Sequence, residues 1–343
     1  MTTNKRITIT DVARAAGVSP GTASRVLNQR GGDIKISEVT RKHVLDIAEN
    51  LGYQPNPFAA ALRTQKTGVI GVIVRDLCDP FLCTLAKAIQ REARGHAVDV
   101  LFAHAEYDLE AVGHHLAFMH SHWFDGLVLL GDMPGDQAII NELQKSHTPF
   151  VAVARGEQNS ACMVNVDERM GIRLGMDYLR GLGHERIAFI GNLEHGGVKE
   201  RAQLFEAYLT EENLPAGENS VQFCANQRSS ATECAQSLLS RQPAPTALFC
   251  GTDLVALSAL NAAHRLGLNI PEQVSILGFD DIPEAAEAYP ALTTLRQPVG
   301  TMAQEAVRLL MERIDGDAEE SEDARVILPP ELVVRASCTP PPG

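Results

Sequence analysis

No Cys-x-x-Cys pair occurs among the seven cysteines (78, 83, 162, 224, 234, 250 and 338). Their odd number completes no disulfide framework either, so neither a zinc site nor a stapled secreted fold is indicated, and reduced, mostly buried thiols are expected. No apolar run approaches the roughly 18 to 20 residues of a membrane span, and Met1-Thr2-Thr3-Asn4-Lys5-Arg6 has no apolar signal core. The expectation is a soluble, cytoplasmic protein without membrane contact. No Gly-x-Gly-x-x-Gly follows a strand pattern, and Gly191-Asn192-Leu193-Glu194-His195-Gly196-Gly197 lacks the Lys-Ser/Thr ending of a phosphate-binding loop. Gly17-Val18-Ser19-Pro20-Gly21 has the spacing of a hydrolase nucleophile, but that elbow needs a preceding strand, and helical residues precede it here. His114, His115, His120 and His122 cluster before Trp123, yet only His115 and His122 share a helix face, with Met119 between them. No metal, no cofactor and no enzymatic activity are expected.

Overall basic charge is also missing: the chain carries −13. The distribution is uneven. Residues 1–66 hold ten Lys/Arg against five Asp/Glu, a balance of +5 that leaves −18 for the remainder. A basic head on an acidic body suits a protein that docks on phosphates with one end and keeps the rest of its surface off the duplex.

That head contains two short amphipathic helices broken by a turn. The first is expected behind a cap at Thr10, with Val12, Ala13 and Ala16 as a narrow stripe of small residues that lets helices cross closely. Gly17 suits the positive φ of the turn, and Ser19-Pro20 opens the second helix as N-cap followed by proline. Ala23, Val26 and Leu27 then face inward, and Pro20, Gly21, Thr22 and Arg25 outward. This helix-turn-helix has too little apolar surface for an enzyme; its usual use is to lay the second helix in the DNA major groove. A third helix is expected from about Ser37 to Leu51, with Val39, Val44, Leu45, Ile47, Ala48 and Leu51 as its stripe and Gly52 as its stop. In the stretch that follows, Asn56 can cap and Pro57 can open a helix too short to be stable without a partner.

From Gly68 the texture changes. Candidate strands are Val69–Val74, Val98–Ala103, Gly126–Leu130, Phe150–Val153, Met163–Val166, Ile187–Ile190, Val221–Cys224, Ala247–Cys250 and Val274–Gly278, nearly all separated by 10 to 16 residues of helical pattern. Such spacing indicates parallel sheets covered on both faces, read here as two doubly wound halves dividing after about Arg155, with a ligand cleft between them. Asp315 to Asp323 is expected as an acidic surface loop. Val326–Leu328 and Leu332–Arg335 are expected to add to one sheet edge, and Pro340-Pro341-Pro342-Gly343 to be disordered.

Seven motifs in this order resemble the LacI/GalR family of bacterial transcription regulators. They are Asp11-Val12-Ala13 with Val18-Ser19 and Ser24-Arg25-Val26-Leu27-Asn28; Ser37-x-x-Thr40-Arg41; Leu51-Gly52-Tyr53-x-Pro55-Asn56; Gly181-x-Gly183-His184-x-x-Ile187-Ala188; Pro245-Thr246-Ala247 with Thr252-Asp253; Gly278-Phe279-Asp280-Asp281; and Leu292-Thr293-Thr294-Leu295-x-Gln297-Pro298. The resemblance implies an α/β chain in three parts. These are an all-α helix-turn-helix head (1–54), a hinge helix and linker (55–67), and a two-lobed effector-binding and dimerisation domain (68–343) resembling a periplasmic-binding-protein core. It further implies a homodimeric repressor of double-stranded DNA with a near-palindromic operator, controlled by a small-molecule effector such as a sugar. The alternatives are a solute-binding protein without a DNA role, or an enzyme using the α/β core.

Residue by residue, the resemblance puts base reading on Pro20, Gly21 and Arg25. Only Arg25 of these offers side-chain hydrogen bonds, to a guanine's O6 and N7. Thr22, Ser24, Thr40 and Arg41 fall to phosphates, Leu62 to a wedge in the minor groove, and Ser19, Asn28, Tyr53, Asn56, Ala59 and Arg63 complete the DNA face. For the effector it implies Asp79, Phe81, Arg155, Arg201, Thr252 and Asp280: Phe81 to stack on a ring, Arg201 to fork two oxygens, Asp280 to accept from hydroxyls. Asp253 and Asp281 can be structural caps or ligand contacts.

Overall fold

A computed structural model describes residues 7–27, 36–54, 66–119, 124–133, 136–155, 162–192, 196–215, 220–225, 227–316 and 324–342. These fall into two compact units, Met1–Thr67 and Gly68–Gly343.

The first unit holds α1 (Ile9–Ala15), α2 (Pro20–Leu27) and α3 (Glu38–Asn50) around Val12, Ala13, Ala16, Ala23, Val26, Val44 and Ala48. α1 begins behind Thr8 rather than Thr10, because only Thr8 has an acid three residues on: Asp11 N donates to the Thr8 hydroxyl, and Asp11 accepts from Thr8 N at 3.0 Å. Gly17 has φ +65 in the turn. Of the stripe expected on α3 only Val44 and Ala48 are buried and Ile47 half-buried; Val39, Leu45 and Leu51 are exposed. Val39 stands five positions before Val44, off the three-or-four spacing that would put it on the buried stripe.

The second unit contains two sheets of six strands. In the first, the order is β11-β5-β4-β3-β1-β2, from β1 (Val69–Val74), β2 (Asp99–His104), β3 (Gly126–Leu130), β4 (Phe150–Val153), β5 (Met163–Val166) and β11 (Arg325–Leu328). In the second, the order is β12-β10-β9-β8-β6-β7, from β6 (Ile187–Asn192), β7 (Val221–Cys224), β8 (Ala247–Cys250), β9 (Ser275–Asp280), β10 (Thr293–Arg296) and β12 (Glu331–Val333). All pairs are parallel except β10 with β12. Setting β11 and β12 aside, both sheets have the order 5-4-3-1-2, whose switch point lies between the first and third strands.

Helices alternate with the strands. In the first lobe these are α4 (Pro80–Gly95), α5 (Leu109–Met119) and α6 (Asp136–Lys145), and in the second α7 (Glu168–Gly181), α8 (Gly196–Glu211), α9 (Arg228–Leu239), α10 (Asp253–Arg265) and the short α11 (Pro283–Glu287). The last helix, α12 (Val299–Asp315), returns to the first lobe and packs on α4, β3, β4 and β5.

Several expectations need correction. The lobes do not divide after Arg155: β5 pairs in parallel with β4, Val153 opposite Val164, so the chain first crosses at Asp167. It crosses back after β10, a strand the sequence reading missed, and a third time at Pro329-Pro330. β11 and β12 consequently extend different sheets rather than one edge. Of the four residues expected to be disordered, Gly343 lies outside the described residues and Pro340 to Pro342 are laid down: the preceding Thr339 O accepts from Ser275 Oγ at 3.0 Å and lies 2.9 Å from His184 Nε2, and Pro341 faces Gly183. Burial lowers the pKa of His184, which keeps a neutral ring able to serve Thr246, Ser275 and this tail together. Of the expected acidic loop, residues 317–323 lie outside the described residues.

Candidate DNA-reading face and ligand cleft

Ser19 caps α2: its hydroxyl accepts from Thr22 N at 3.0 Å and lies 2.9 Å from the Thr22 hydroxyl. Pro20, Gly21 and Arg25 are exposed on the opposite face from Ala23 and Val26, Ser24 is half-buried beside them, and Arg25 makes no ion pair among the described residues. Ser37 caps α3 in the same way through Thr40, and Arg41 stands 3.7 Å from Glu38. Tyr53 packs against the small core of the head. Asn28, Asn56, Ala59, Leu62 and Arg63 lie outside the described residues. The Gly17–Gly21 segment is a helix-to-helix turn, not the strand-to-helix elbow of a hydrolase.

In the larger unit the carboxyl ends of both sheets line one partly open cleft, bordered by Arg75, Asp79, Phe81, Leu82, Asp132, Ala154, Arg155, Asn165, Glu168, Val198, Arg201, Thr252, Asp280 and Gln297. The parallel topology places it there, since every lining residue sits at or just past a strand's carboxyl end or in the helix that follows. All six residues assigned to the effector from sequence meet in this cleft. Their geometry differs from the expectation in two respects. Asp79 is the N-cap of α4, its Oδ1 accepting from Phe81 N (3.0 Å) and Leu82 N (3.2 Å) while Arg75 binds Oδ2. Arg201, in the second turn of α8 rather than at its start, already has its fork filled: Nε and Nη2 donate to Glu168 at 2.6 and 2.9 Å, and Nη1 donates to Gly251 O at 2.7 Å. Its guanidinium lies 3.6 Å above the Phe279 ring, with Asp280 Oδ1 at 3.7 Å.

Burial penalises the charged carboxylates here. It raises the pKa of Glu168 despite Arg201, and raises that of Asp280 well above the usual carboxylate range. Gln297 Nε2 donates to Asp280 Oδ1 at 2.8 Å, and Asn165 and Arg155 exchange hydrogen bonds through the Asn165 side chain and the Arg155 backbone. Asp280 (φ 129) and Ala154 (φ 54) hold conformations that L-residues rarely adopt, and such strain gathers at functional sites. Asp132, from the first lobe, accepts from Gly197 N in the second at 3.2 Å and so joins the lobes across the cleft.

Sequence reasoning missed Arg75, Asp132, Asn165, Glu168 and Gln297. The first four lie within two residues of strand ends that it had placed, so reading every strand's carboxyl end would have found them. Asp253 and Asp281 prove structural. Asp253 is fully buried and accepts from the Thr294 hydroxyl and from Ile282 N at 2.9 Å, and burial pushes its pKa to about 6. Asp281 pairs with Arg296 and Arg335, each at 2.6 Å. His115 lies against the His104 carbonyl at 3.2 Å; His120 and His122 are outside the described residues. No described helix is long and apolar enough to cross a membrane.

Comparison with known proteins gives matches along nearly the whole chain. Residues 8–56 match the model for bacterial regulatory proteins of the lacI family, and residues 176–338 that of a periplasmic binding protein-like domain. The chain is 32% identical over 339 residues to the HTH-type transcriptional regulator DegA of Bacillus subtilis (strain 168), covering 98% of this chain and 99% of that protein. Among solved structures, the Lac repressor dimer bound to operator and the anti-inducer ONPF superposes with a TM-score of 0.87 at 26% identity, covering 98% of this chain and 100% of that one. A complex of the transcriptional regulator CelR with cellobiose gives 0.72 at 27%, covering 97% and 100%.

Proposed function

The chain belongs to the lacI family of bacterial regulatory proteins, and from that premise we propose a sequence-specific repressor whose operator affinity is set by a small sugar-like ligand in the cleft. One observation carries the reading: a single chain carries both an exposed helix face bearing Arg25 and a cleft lined by charged and polar residues of two lobes. Arg25 is the base-reading residue, because Pro20 and Gly21 have no side-chain donors. Thr22, Ser24, Thr40 and Arg41 hold phosphates, and Leu62 with its neighbours acts in the minor groove. Arg201, Asp280, Thr252, Arg155, Asp79 and Phe81 surround the ligand. The protein works in the cytoplasm as a homodimer and catalyses no reaction; two heads related by a two-fold axis call for a near-palindromic operator. A ligand that touches both lobes favours one cleft geometry, and its differential affinity for the two states, typically about 1–3 kcal/mol, is what reaches the DNA.

Selection of bound duplexes from random DNA tests this. Wild type should enrich a near-palindrome, and Arg25→Ala should bind it about 1–3 kcal/mol more weakly and lose preference at one symmetric base pair. Arg201→Ala should bind the same operator without responding to a sugar that shifts the wild type. Failure to enrich any sequence would overturn the DNA role, leaving the solute-binding alternative.

A further inference from the structure

The polar groups of the cleft are unevenly satisfied. Each of its four carboxylates has a donor: Asp79 has Arg75 and two α4 amides, Asp132 has Gly197 N, Glu168 has Arg201, and Asp280 has Gln297. Arg201 spends its guanidinium on Glu168 and Gly251 O. Arg75 differs. It is 3% exposed, held by Asp79 through Nη2 and covered by the Tyr107 ring at 5.7 Å, and its buried Nε has no acceptor among the described residues. A buried carboxyl can escape its cost by taking a proton, but a guanidinium cannot lose one. Arg75 Nε is thus a donor beside the cleft without an acceptor among the described residues, and the guanidinium that bears it carries a fixed positive charge.

A neutral sugar offers hydroxyls, which suit Asp280 and compete poorly for a guanidinium. An acidic sugar derivative offers both kinds of group at once, hydroxyls at one end and charged oxygens at the other. Arg75 and Asp280 belong to opposite lobes, so such a molecule spans the cleft. Resting on the ligand-sensing reading of this cleft, we propose that its ligand is a sugar-sized polyhydroxylated anion whose charged oxygens are bound by Arg75 and whose hydroxyls are bound by Asp280. The two acids nearest Arg201, Glu168 and Asp280, are both pushed by burial toward holding a proton, which lessens the negative charge an incoming anion meets.

The test is thermal-shift titration of the full chain with matched probes: glucose, galactose and ribose against glucuronate, galacturonate and gluconate, and against glucose 6-phosphate and ribose 5-phosphate. At least one anion should raise the melting temperature while its neutral parent does not, and the two anion series distinguish carboxylate from phosphate as the source. Arg75→Met combined with Asp79→Asn retains an N-cap on α4 and leaves no carboxylate unpaired. That variant should still melt cooperatively and should lose at least about tenfold in apparent affinity for the active anion. The proposal is overturned if no anion shifts the wild type, if neutral sugars shift it equally, or if the double variant responds like wild type. A shift by neutral sugars alone leaves the regulator reading intact, whereas loss of operator selection removes that reading without bearing on Arg75.

Discussion

One face of the first lobe's sheet is packed by α5 and α6 with aliphatic side chains, among them Ile73, Val112, Leu116, Leu129, Ile140 and Leu143, and, among the described residues, with Phe150 as its one fully buried aromatic. The matching face of the second lobe, under α7 and α8, is built on rings: Phe189 stacks near Phe205 (5.5 Å) and Phe249 (6.0 Å), with Phe279 and Tyr208 beside them. Rings of that size need room, and α7 gives it by placing Gly171 against Phe279 and Gly175 against Phe249. The consequence reaches the cleft, because the same Phe279 is the floor under Arg201. Topology decides where the cleft lies in both lobes alike; side-chain packing decides how firmly each lobe holds its contribution.

Three changes probe that contrast. Removing the floor has the largest expected effect: Phe279→Ala should cost about 3–5 kcal/mol in chemical denaturation, and a value near that of an exposed aliphatic truncation would mean the ring is no keystone. Next comes pH. Asp253 in the second lobe has its carboxyl raised from 3.8 to about 6, so the folded form binds the extra proton between those values. Stability should then fall as pH rises through that window, with up to ~3 kcal/mol of the loss coming from this one carboxyl. Asp253→Asn should flatten this slope, which urea melts at pH 4, 5, 6 and 7 would reveal. The smallest effect reverses sign between lobes. A methyl at Gly175 would meet Phe249 at 2.7 Å and should destabilise by about 1–3 kcal/mol, while Gly113 on α5 faces open space, so Gly113→Ala should stabilise by up to about 1 kcal/mol. Equal responses would show that the two helical covers are packed alike.

Much of this architecture is written locally in the chain. Nine strands announce themselves as apolar β-branched runs, and the cap Ser19-Pro20 sets the start of α2. β10 escaped because three residues of Thr293-Thr294-Leu295-Arg296 are polar; both threonines are fully buried, where the Thr294 hydroxyl donates to Asp253 and the Thr293 hydroxyl accepts from Arg335 N, and those partnerships join residues some forty positions apart. Asp280 was legible through the motif Gly278-Phe279-Asp280-Asp281 and Arg201 through the family resemblance, but Glu168 in Arg201's fork was not, since an acid at a helix's first position ordinarily reads as a response to the helix dipole. The lobe boundary was misplaced for a related reason: β5 and β6 look alike in sequence, and only pairing distinguishes which sheet each one joins.

The three crossings between the lobes bear on how the protein is made. A ribosome releases β1 to β5 first, but α12, which covers β3 to β5, and the edge strand β11 follow only after residues 167–298. The first lobe therefore waits, with part of one face bare, until the second lobe's β6 to β10 have been synthesised. Neither lobe is a continuous stretch of chain that can be cut out and expressed alone, and a single protease nick at any one crossing would leave both lobes tied by the other two.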